Sequence, residues 1–183
     1  VVVNKQSQNS TSFCDLFAGT GIVGRSFKKS HKIISNDLLY FSFVINSAYI
    51  GLKNSPTFKS AKKELGIHPI DYLNDLSVNT RTLSDKDFIT CNYSPAGDNK
   101  RCYLTVENAL HIDRARQLLD QWLDSGLISK GEFFYLLASL IEEVPSVSNI
   151  AGTYGAYLKE WDKRAFNRIQ LNKLEIVESV HPN

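Results

Sequence analysis

The stretch Asp15-Leu16-Phe17-Ala18-Gly19-Thr20-Gly21 decides the fold, because it joins a short apolar run to a helical one through two glycines. The run at 13–18 is short and ends at glycines, which favours a buried β-strand over a helix. Residues 21–29 then predict a helix and residues 32–37 a second strand. The apolar spacing over 41–49 predicts an amphipathic helix. Two strands joined by a helix are expected to pair in parallel, so the sequence predicts an α/β fold.

The glycine turn between strand and helix is typical of a ligand site. Gly19 and Gly21 permit a tight turn and a close approach of ligand to backbone, and the following helix presents unpaired amides. Asp37 lies 18 positions after Gly19 (37 − 19), at the end of the predicted second strand, where a carboxylate accepts hydrogen bonds from a ribose. A P-loop is excluded because no Gly-Lys-Ser/Thr follows.

The second half of the chain follows helical spacing. Thr105 is a candidate N-cap with Gly126 beyond the helix end, and Ser129-Lys130-Gly131-Glu132 has the pattern of a capping box. We therefore expect a helical hairpin between about Thr105 and Val144. Three weaker patterns predict a short helix over 58–65 closed by Gly66, a short strand over 87–93, and a final strand over 174–177.

Composition limits the class of protein. The chain has 183 residues, of which 43% are hydrophobic and 22% charged, as in ordinary globular domains. Its net charge of +2 permits a nucleic-acid partner. Cys14, Cys91 and Cys102 form no Cys-x-x-Cys pair, so neither a disulfide framework nor a metal site is expected, and a reducing cytoplasm is predicted. No apolar run is long enough to cross a membrane. The chain contains no methionine, which predicts a partial polypeptide.

The glycine stretch resembles the cofactor motif of S-adenosylmethionine-dependent methyltransferases, most closely the Dam-like class of adenine-specific DNA methyltransferases. The resemblance continues at Ser35-Asn36-Asp37-Leu38 and is clear again at Tyr154-Gly155-Ala156-Tyr157-Leu158-Lys159. It implies a partial Rossmann-like methyltransferase sheet with an inserted, mainly helical subdomain. The implied ranges are 1–92 for the cofactor-binding part, 93–168 for the insertion that contacts DNA, and 169–183 for the return toward a catalytic motif.

The resemblance also implies roles for individual residues. Asp15, Phe17, Gly19 and Gly21 are expected to form the S-adenosylmethionine pocket, and Asp37 to hold the ribose hydroxyls. The expected nucleic-acid contacts combine basic residues with an aromatic one: Lys100, Arg101, Tyr154, Lys159 and Lys163. Double-stranded DNA is the implied substrate, with a restriction endonuclease as the partner in a restriction–modification system.

The family's catalytic Asp-Pro-Pro-Tyr occurs nowhere in the chain. We therefore assign no catalytic residue and expect the 183-residue polypeptide alone to be inactive. A five-position cytosine methyltransferase is disfavoured, because none of the three cysteines follows a proline. Two alternatives stay open: a methyltransferase acting on RNA or a small molecule, and a non-catalytic nucleic-acid-binding or assembly subunit with the same fold.

Overall fold

The computed structural model describes residues 9–80, 83–152 and 155–179 of the chain. Contacts between residues divide the chain into two compact units, each described by itself. Unit 1 comprises Val1–Thr57, Lys130–Ala138 and Leu174–Asn183. Unit 2 comprises Phe58–Ser129 and Ser139–Lys173.

Unit 1 begins with the predicted strand–helix–strand–helix order. The elements are β1 (Ser12–Asp15), α1 (Ile22–Phe27), β2 (Lys32–Ser35) and α2 (Tyr40–Tyr49). The two strands pair in parallel with Phe13 opposite Ile33, as the sequence predicted. Among the described residues the sheet has these two strands, so the α/β character is confirmed, whereas a complete Rossmann sheet is not seen.

A small apolar core holds α1 against the sheet. Phe27, Ile33 and Ile50 are buried together, and the Phe13 ring stacks on Phe27 with centroids 4.5 Å apart. A Cβ at Gly24 would lie 3.1 Å from the Ile33 side chain and 3.3 Å from that of Ile50. The close packing of α1 therefore explains the glycine at position 24 without any ligand.

Lys28 ends α1 with a fully buried side chain. Its Nζ donates hydrogen bonds to the carbonyl oxygens of Tyr49, at 2.6 Å, and Leu52, at 2.5 Å. Burial, followed by the nearby Arg25 charge, lowers the pKa of Lys28 to about 8. The amine thus satisfies two carbonyls at and just beyond the C-terminal end of α2. The same burial disfavours the protonated form of the side chain.

The last helix of the chain, α7 (Lys130–Glu143), contributes its first nine residues to unit 1. The Phe134 ring meets Phe43 of α2 edge-on at 5.4 Å, and a Cβ at Gly131 would lie 2.9 Å from the Leu52 side chain. These contacts lie within unit 1, and residues 58–92 pack within unit 2. The functional ranges 1–92, 93–168 and 169–183 stay predictions.

Unit 2 is mainly helical. Its helices are α3 (Lys59–Leu65), α4 (Pro69–Asn74), α5 (Phe88–Tyr93) and α6 (Val106–Asp124). Short 3-10 helices follow at Val144–Val147 and Lys163–Phe166. Two predicted caps are confirmed: Gly66 ends α3 with φ 75°, and the Thr105 side chain accepts a hydrogen bond from the Asn108 amide at the start of α6.

The predicted strand over 87–93 was wrong, because these residues form α5. The buried Asp113 carboxylate of α6 accepts hydrogen bonds from the amides of Ile89, at 2.9 Å, and Thr90, at 2.8 Å. A distant side chain thereby satisfies the unpaired amides of a helical first turn. No local pattern in the sequence reveals this contact, which explains the error.

The predicted strand at 174–177 was also wrong, since residues 167–179 form neither helix nor strand. Side chains take the place of a neighbouring strand. The Asn74 side chain bonds both the amide and the carbonyl of Leu171, and the Tyr135 hydroxyl donates to the Leu174 carbonyl at 3.1 Å. In the described ranges, no helix is both long and apolar enough to cross a membrane.

Candidate functional sites

The glycine turn of unit 1 is closed by backbone hydrogen bonds. The Ala18 amide donates to the Asn36 carbonyl at 2.9 Å, and the Gly21 amide donates to the Ala18 carbonyl at 2.7 Å. Gly19 and Gly21 have φ of 51° and 73°, in the left-handed region that glycine adopts without strain. The sequence therefore needs glycine at both positions for the turn itself.

Asp37 is fixed at the end of β2 by the same turn. Its Oδ2 accepts a hydrogen bond from the Gly19 amide at 2.8 Å, and its Oδ1 accepts one from the Leu39 amide at 3.0 Å. The Leu39 bond, followed by the Gly19 bond, lowers the pKa of Asp37. The Ser42 hydroxyl and the Leu38 amide also approach this carboxylate and lower its pKa further.

A cleft of about 400 Å³ opens beside Asp37. It lies between the end of β2 and α2, and its lining includes Ala18, Ser35, Asn36, Asp37 and Asn46. Within the described part of the chain, Asn46 Oδ1 and Ser35 Oγ are buried without a hydrogen-bond partner. The cleft thus presents a carboxylate together with buried polar groups that have no partner, a set suited to a polar ligand.

The five predicted cofactor residues occupy different positions. Asp37 lines the cleft, and Gly19 reaches it through the bond to Asp37. Asp15 ends β1 and its carbonyl accepts from the Asn36 amide at 2.8 Å. Phe17 is 90% exposed, and Gly21 is buried at the start of α1. Their assignment to the cofactor stays a prediction.

Asn46 was not anticipated from the sequence. Its Nδ2 donates to the Gly19 carbonyl at 3.0 Å and to the Ser42 carbonyl at 2.8 Å. A Cβ at Gly21 would lie 2.6 Å from Asn46 Oδ1, so the amide packs directly against the turn. The available signal was a polar residue on the otherwise apolar face of α2.

Unit 2 carries the described basic residues predicted to contact nucleic acid. Lys100, Arg101, Lys159 and Lys163 are all exposed. Lys100 has φ 44° and follows a turn in which its amide bonds the Gly97 carbonyl at 2.9 Å. The Arg101 guanidinium reaches the Asn92 carbonyl at 3.4 Å. Tyr154, the aromatic member of the predicted set, lies outside the described residues.

Asn149 gathers the segments that bear these basic residues. It is fully buried, and its Nδ2 donates to the carbonyls of Cys102 and Leu158, each at 3.0 Å. Its Oδ1 accepts from the Asp162 amide at 2.9 Å. The neighbours of Arg101, Lys159 and Lys163 are therefore tied to one side chain.

A row of aromatic rings accompanies these segments. Ring centroids are 6.4 Å apart for Phe88 and Tyr93, 5.8 Å for Tyr93 and Tyr103, and 5.1 Å for Tyr103 and Tyr157. The two end members are the exposed ones, with Phe88 62% and Tyr157 39% exposed. Exposed rings beside cations are typical of nucleic-acid surfaces, where bases stack and phosphates bind.

Comparison with protein families gives one match. The model for the D12 class N6 adenine-specific DNA methyltransferase matches residues 2–180. No solved structure gives a significant match to the chain.

Curated relatives agree with that match. The chain is 46% identical to Type II methyltransferase M.FokI of Planomicrobium okeanokoites, over 100% of this chain and 28% of the relative. It is 42% identical to Modification methylase LlaI of Lactococcus lactis subsp. lactis, over 98% of this chain and 28% of the relative. Identity to Type II methyltransferase M.NlaIII of Neisseria lactamica is 35%, over 87% of this chain and 44% of the relative. The chain thus spans less than half of the length of each.

Proposed function

Because the chain belongs to the D12 class of N6 adenine-specific DNA methyltransferases, we propose that it forms the cofactor-binding part of an enzyme that methylates adenine in DNA. The observation that carries the proposal is Asp37, a carboxylate held by the Gly19 and Leu39 amides at the edge of a cleft of about 400 Å³. The proposed cofactor is S-adenosylmethionine, whose ribose offers two neighbouring hydroxyl donors.

The residues present fit this cofactor. The Asp37 carboxylate lines the cleft, where ribose hydroxyls could donate hydrogen bonds to it, and the buried Asn46 Oδ1 and Ser35 Oγ offer further polar contacts. An added Cβ at Gly19 would meet no atom within 4 Å, so the turn leaves open space at this point. Bound S-adenosylmethionine supplies a methyl group made electrophilic by its sulfonium. The chain's own part is to bind and orient that molecule.

We extend the proposal to the substrate through unit 2. Lys100, Arg101, Lys159 and Lys163 would bind DNA phosphates, with Tyr154 as an additional contact. Their support is the exposure of the four cations, the anchoring of their segments by Asn149, and the adjacent aromatic row from Phe88 to Tyr157. Phosphate contacts position a protein on the duplex without reading its sequence.

The chain spans 28% of the length of its relative M.FokI, and our proposal for the chain's own residues is limited to binding the cofactor and DNA. The relatives' names describe Type II methyltransferases and modification methylases. We therefore place the proposed enzyme in the cytoplasm as the modification component of a restriction–modification system, with a restriction endonuclease as its partner.

Calorimetric titration of S-adenosylmethionine into the chain tests the proposal. Binding at one site is expected, and Asp37→Ala is expected to weaken it by about 100-fold, because hydrogen bonds to a charged acceptor contribute about 1.5–3 kcal/mol each. Asp124→Ala, at an exposed position at the end of α6, removes a carboxylate elsewhere and should leave the affinity unchanged. Circular dichroism would show that both variants fold. Equal affinities for wild type and a folded Asp37→Ala variant would refute the role of Asp37, and absence of binding would refute the cofactor site.

A further inference from the structure

A second cleft, in unit 2, has no role in the function proposed so far. It has a volume of about 220 Å³, and its lining includes Glu107, His111 and Arg168. An adjoining cleft of about 310 Å³ shares Glu107 and Arg168 and adds Phe166, whose side chain is 65% exposed. The His111 cleft, as we call the first of these, thus combines a buried imidazole with charged groups of both signs and lies next to an exposed ring.

His111 is the unusual member of this set. Its side chain is 1% exposed, and in the portion of the chain that the structure describes its Nε2 has no hydrogen-bond partner. The ring's other nitrogen is engaged by the Leu73 backbone. Burial, followed by the Arg168 charge, lowers the pKa of His111, so the ring is neutral at pH 7 and Nε2 is a hydrogen-bond acceptor. A buried acceptor without a partner destabilises the fold, and a ligand with an N–H donor would satisfy it.

The charged residues of the cleft narrow the ligand chemistry. Glu107 is exposed and presents a carboxylate, which accepts two hydrogen bonds side by side. Arg168 is exposed, and one of its nitrogens is anchored by the Leu76 carbonyl at 2.6 Å. A guanidinium fixed in this way presents its remaining N–H groups to a carbonyl or ring nitrogen.

The cleft offers two hydrogen-bond acceptors, Glu107 and His111, and a guanidinium with several N–H donors, Arg168. This combination matches the edges of guanine. Guanine offers adjacent N1–H and N2–H₂ donors, together with O6 and N7 acceptors that arginine commonly contacts. Adenine and cytosine each offer a single exocyclic amine, and thymine a single ring N–H. The exposed Phe166, whose ring lies 5.6 Å from that of Trp161, provides a face on which a base can stack.

We propose that the His111 cleft binds an unstacked guanine base through Glu107, His111 and Arg168, with Phe166 as the stacking face. The site is separate from the S-adenosylmethionine cleft, since its lining residues all belong to unit 2. The inference rests on the proposed function in one respect: guanine would come from DNA bound to the methyltransferase.

The test follows the imidazole resonances of ¹⁵N-labelled chain during titration with deoxyguanosine monophosphate. A saturable shift of the His111 resonances is expected. Deoxyadenosine, deoxycytidine and thymidine monophosphates should shift them much less at the same concentration, and inorganic phosphate should not shift them. Glu107→Gln keeps the size of the exposed side chain and removes its charge, and it should weaken the guanine nucleotide by about tenfold or more, the scale of one bidentate base contact. Glu175→Gln, at an exposed position in unit 1, should have no effect.

Three results would overturn the proposal: no shift up to the solubility limit of the nucleotide, equal shifts with all four nucleotides, or a shift that phosphate alone reproduces. S-adenosylmethionine affinity, measured on the same sample, separates this proposal from the previous one. A sample that binds the cofactor without responding to the guanine nucleotide refutes only the cleft. A folded sample that binds neither refutes both.

Discussion

The Asp37 cleft of unit 1, our proposed cofactor site, and the exposed basic residues of unit 2 are positioned by different kinds of contact. Around Asp37 the bonds are short-range in sequence: the Gly19 amide reaches it across 18 residues, and the Leu39 amide across two. In unit 2 buried asparagines also join segments that lie much further apart in sequence. Asn149 reaches Cys102 across 47 residues, and Asn108 reaches Ala165 across 57. A contiguous segment thus builds one site, whereas buried asparagines assemble the other from separate parts of the chain.

Replacing Asn149 by leucine is the strongest way to break this contrast. The variant leaves the Cys102 and Leu158 carbonyls and the Asp162 amide without their partner. At about 1–3 kcal/mol for each of these three groups, we expect the free energy of unfolding of unit 2 to fall by at least about 3 kcal/mol. Denaturant unfolding followed by tryptophan fluorescence would measure it.

The matched control for Asn149 is Asn172→Leu, at an exposed position in the same unit, where the expected change is within about 0.5 kcal/mol. S-adenosylmethionine affinity should stay unchanged in both variants if the cleft of unit 1 is locally built. Loss of that affinity in Asn149→Leu with unit 1 still folded would remove the contrast.

Lys28 sharpens the comparison, because unit 1 also uses this buried polar side chain to satisfy distant main-chain carbonyls. Its pKa is lowered from 10.5 to about 8 on folding, so between these pH values the unfolded chain binds the additional proton. The free energy of unfolding therefore rises with pH across this window, by at most about 3 kcal/mol from this group. Lys28→Met should remove that rise. Parallel stability profiles for wild type and variant from pH 8 to 10.5 would contradict the assignment.

The two turn glycines provide a smaller effect inside unit 1. Gly21→Ala adds a Cβ 2.6 Å from Asn46 Oδ1 to a residue with φ 73°, whereas Gly19→Ala meets open space at φ 51°. Left-handed strain alone costs about 1–2 kcal/mol, and the contact with Asn46 adds to it at Gly21. Thermal denaturation should therefore show Gly21→Ala as the less stable variant. If Gly21→Ala were the more stable variant, the contact between its Cβ and Asn46 would not be destabilising.

The basic residues of unit 2 should give the smallest effects. Lys100→Ala and Arg101→Ala each remove one proposed phosphate contact, which reduces the salt dependence of DNA affinity by about one unit of log–log slope. Fluorescence anisotropy with a labelled duplex at several salt concentrations measures the slope. Lys53→Ala, a change in unit 1, serves as the comparison. An unchanged slope in both unit 2 variants would remove these residues from the interface.

Sequence reasoning succeeded where structure is local. The strands, the helices of unit 1, and the caps at Thr105 and Gly66 follow from short patterns of apolar residues, glycine and threonine. It failed over 87–93 and 174–177, where Asp113 and Tyr135 decide the conformation from a distance. Asp37 stands where the spacing to Gly19 predicted, beside the cleft. Asn46, Asn108 and Asn149 were not predicted, because an asparagine has no periodic pattern that reveals its partner.

The anchoring by Asn149 also bears on how such a protein diversifies. The buried amide binds main-chain groups of Cys102, Leu158 and Asp162, so it places no demand on the side chains at those positions. The exposed neighbours Arg101, Lys159 and Lys163 lie outside this network of bonds. Mutation at the outward positions can therefore alter what the surface binds without loosening the loops. Anchoring through the main chain would thus let these exposed positions change over evolution at little cost in stability.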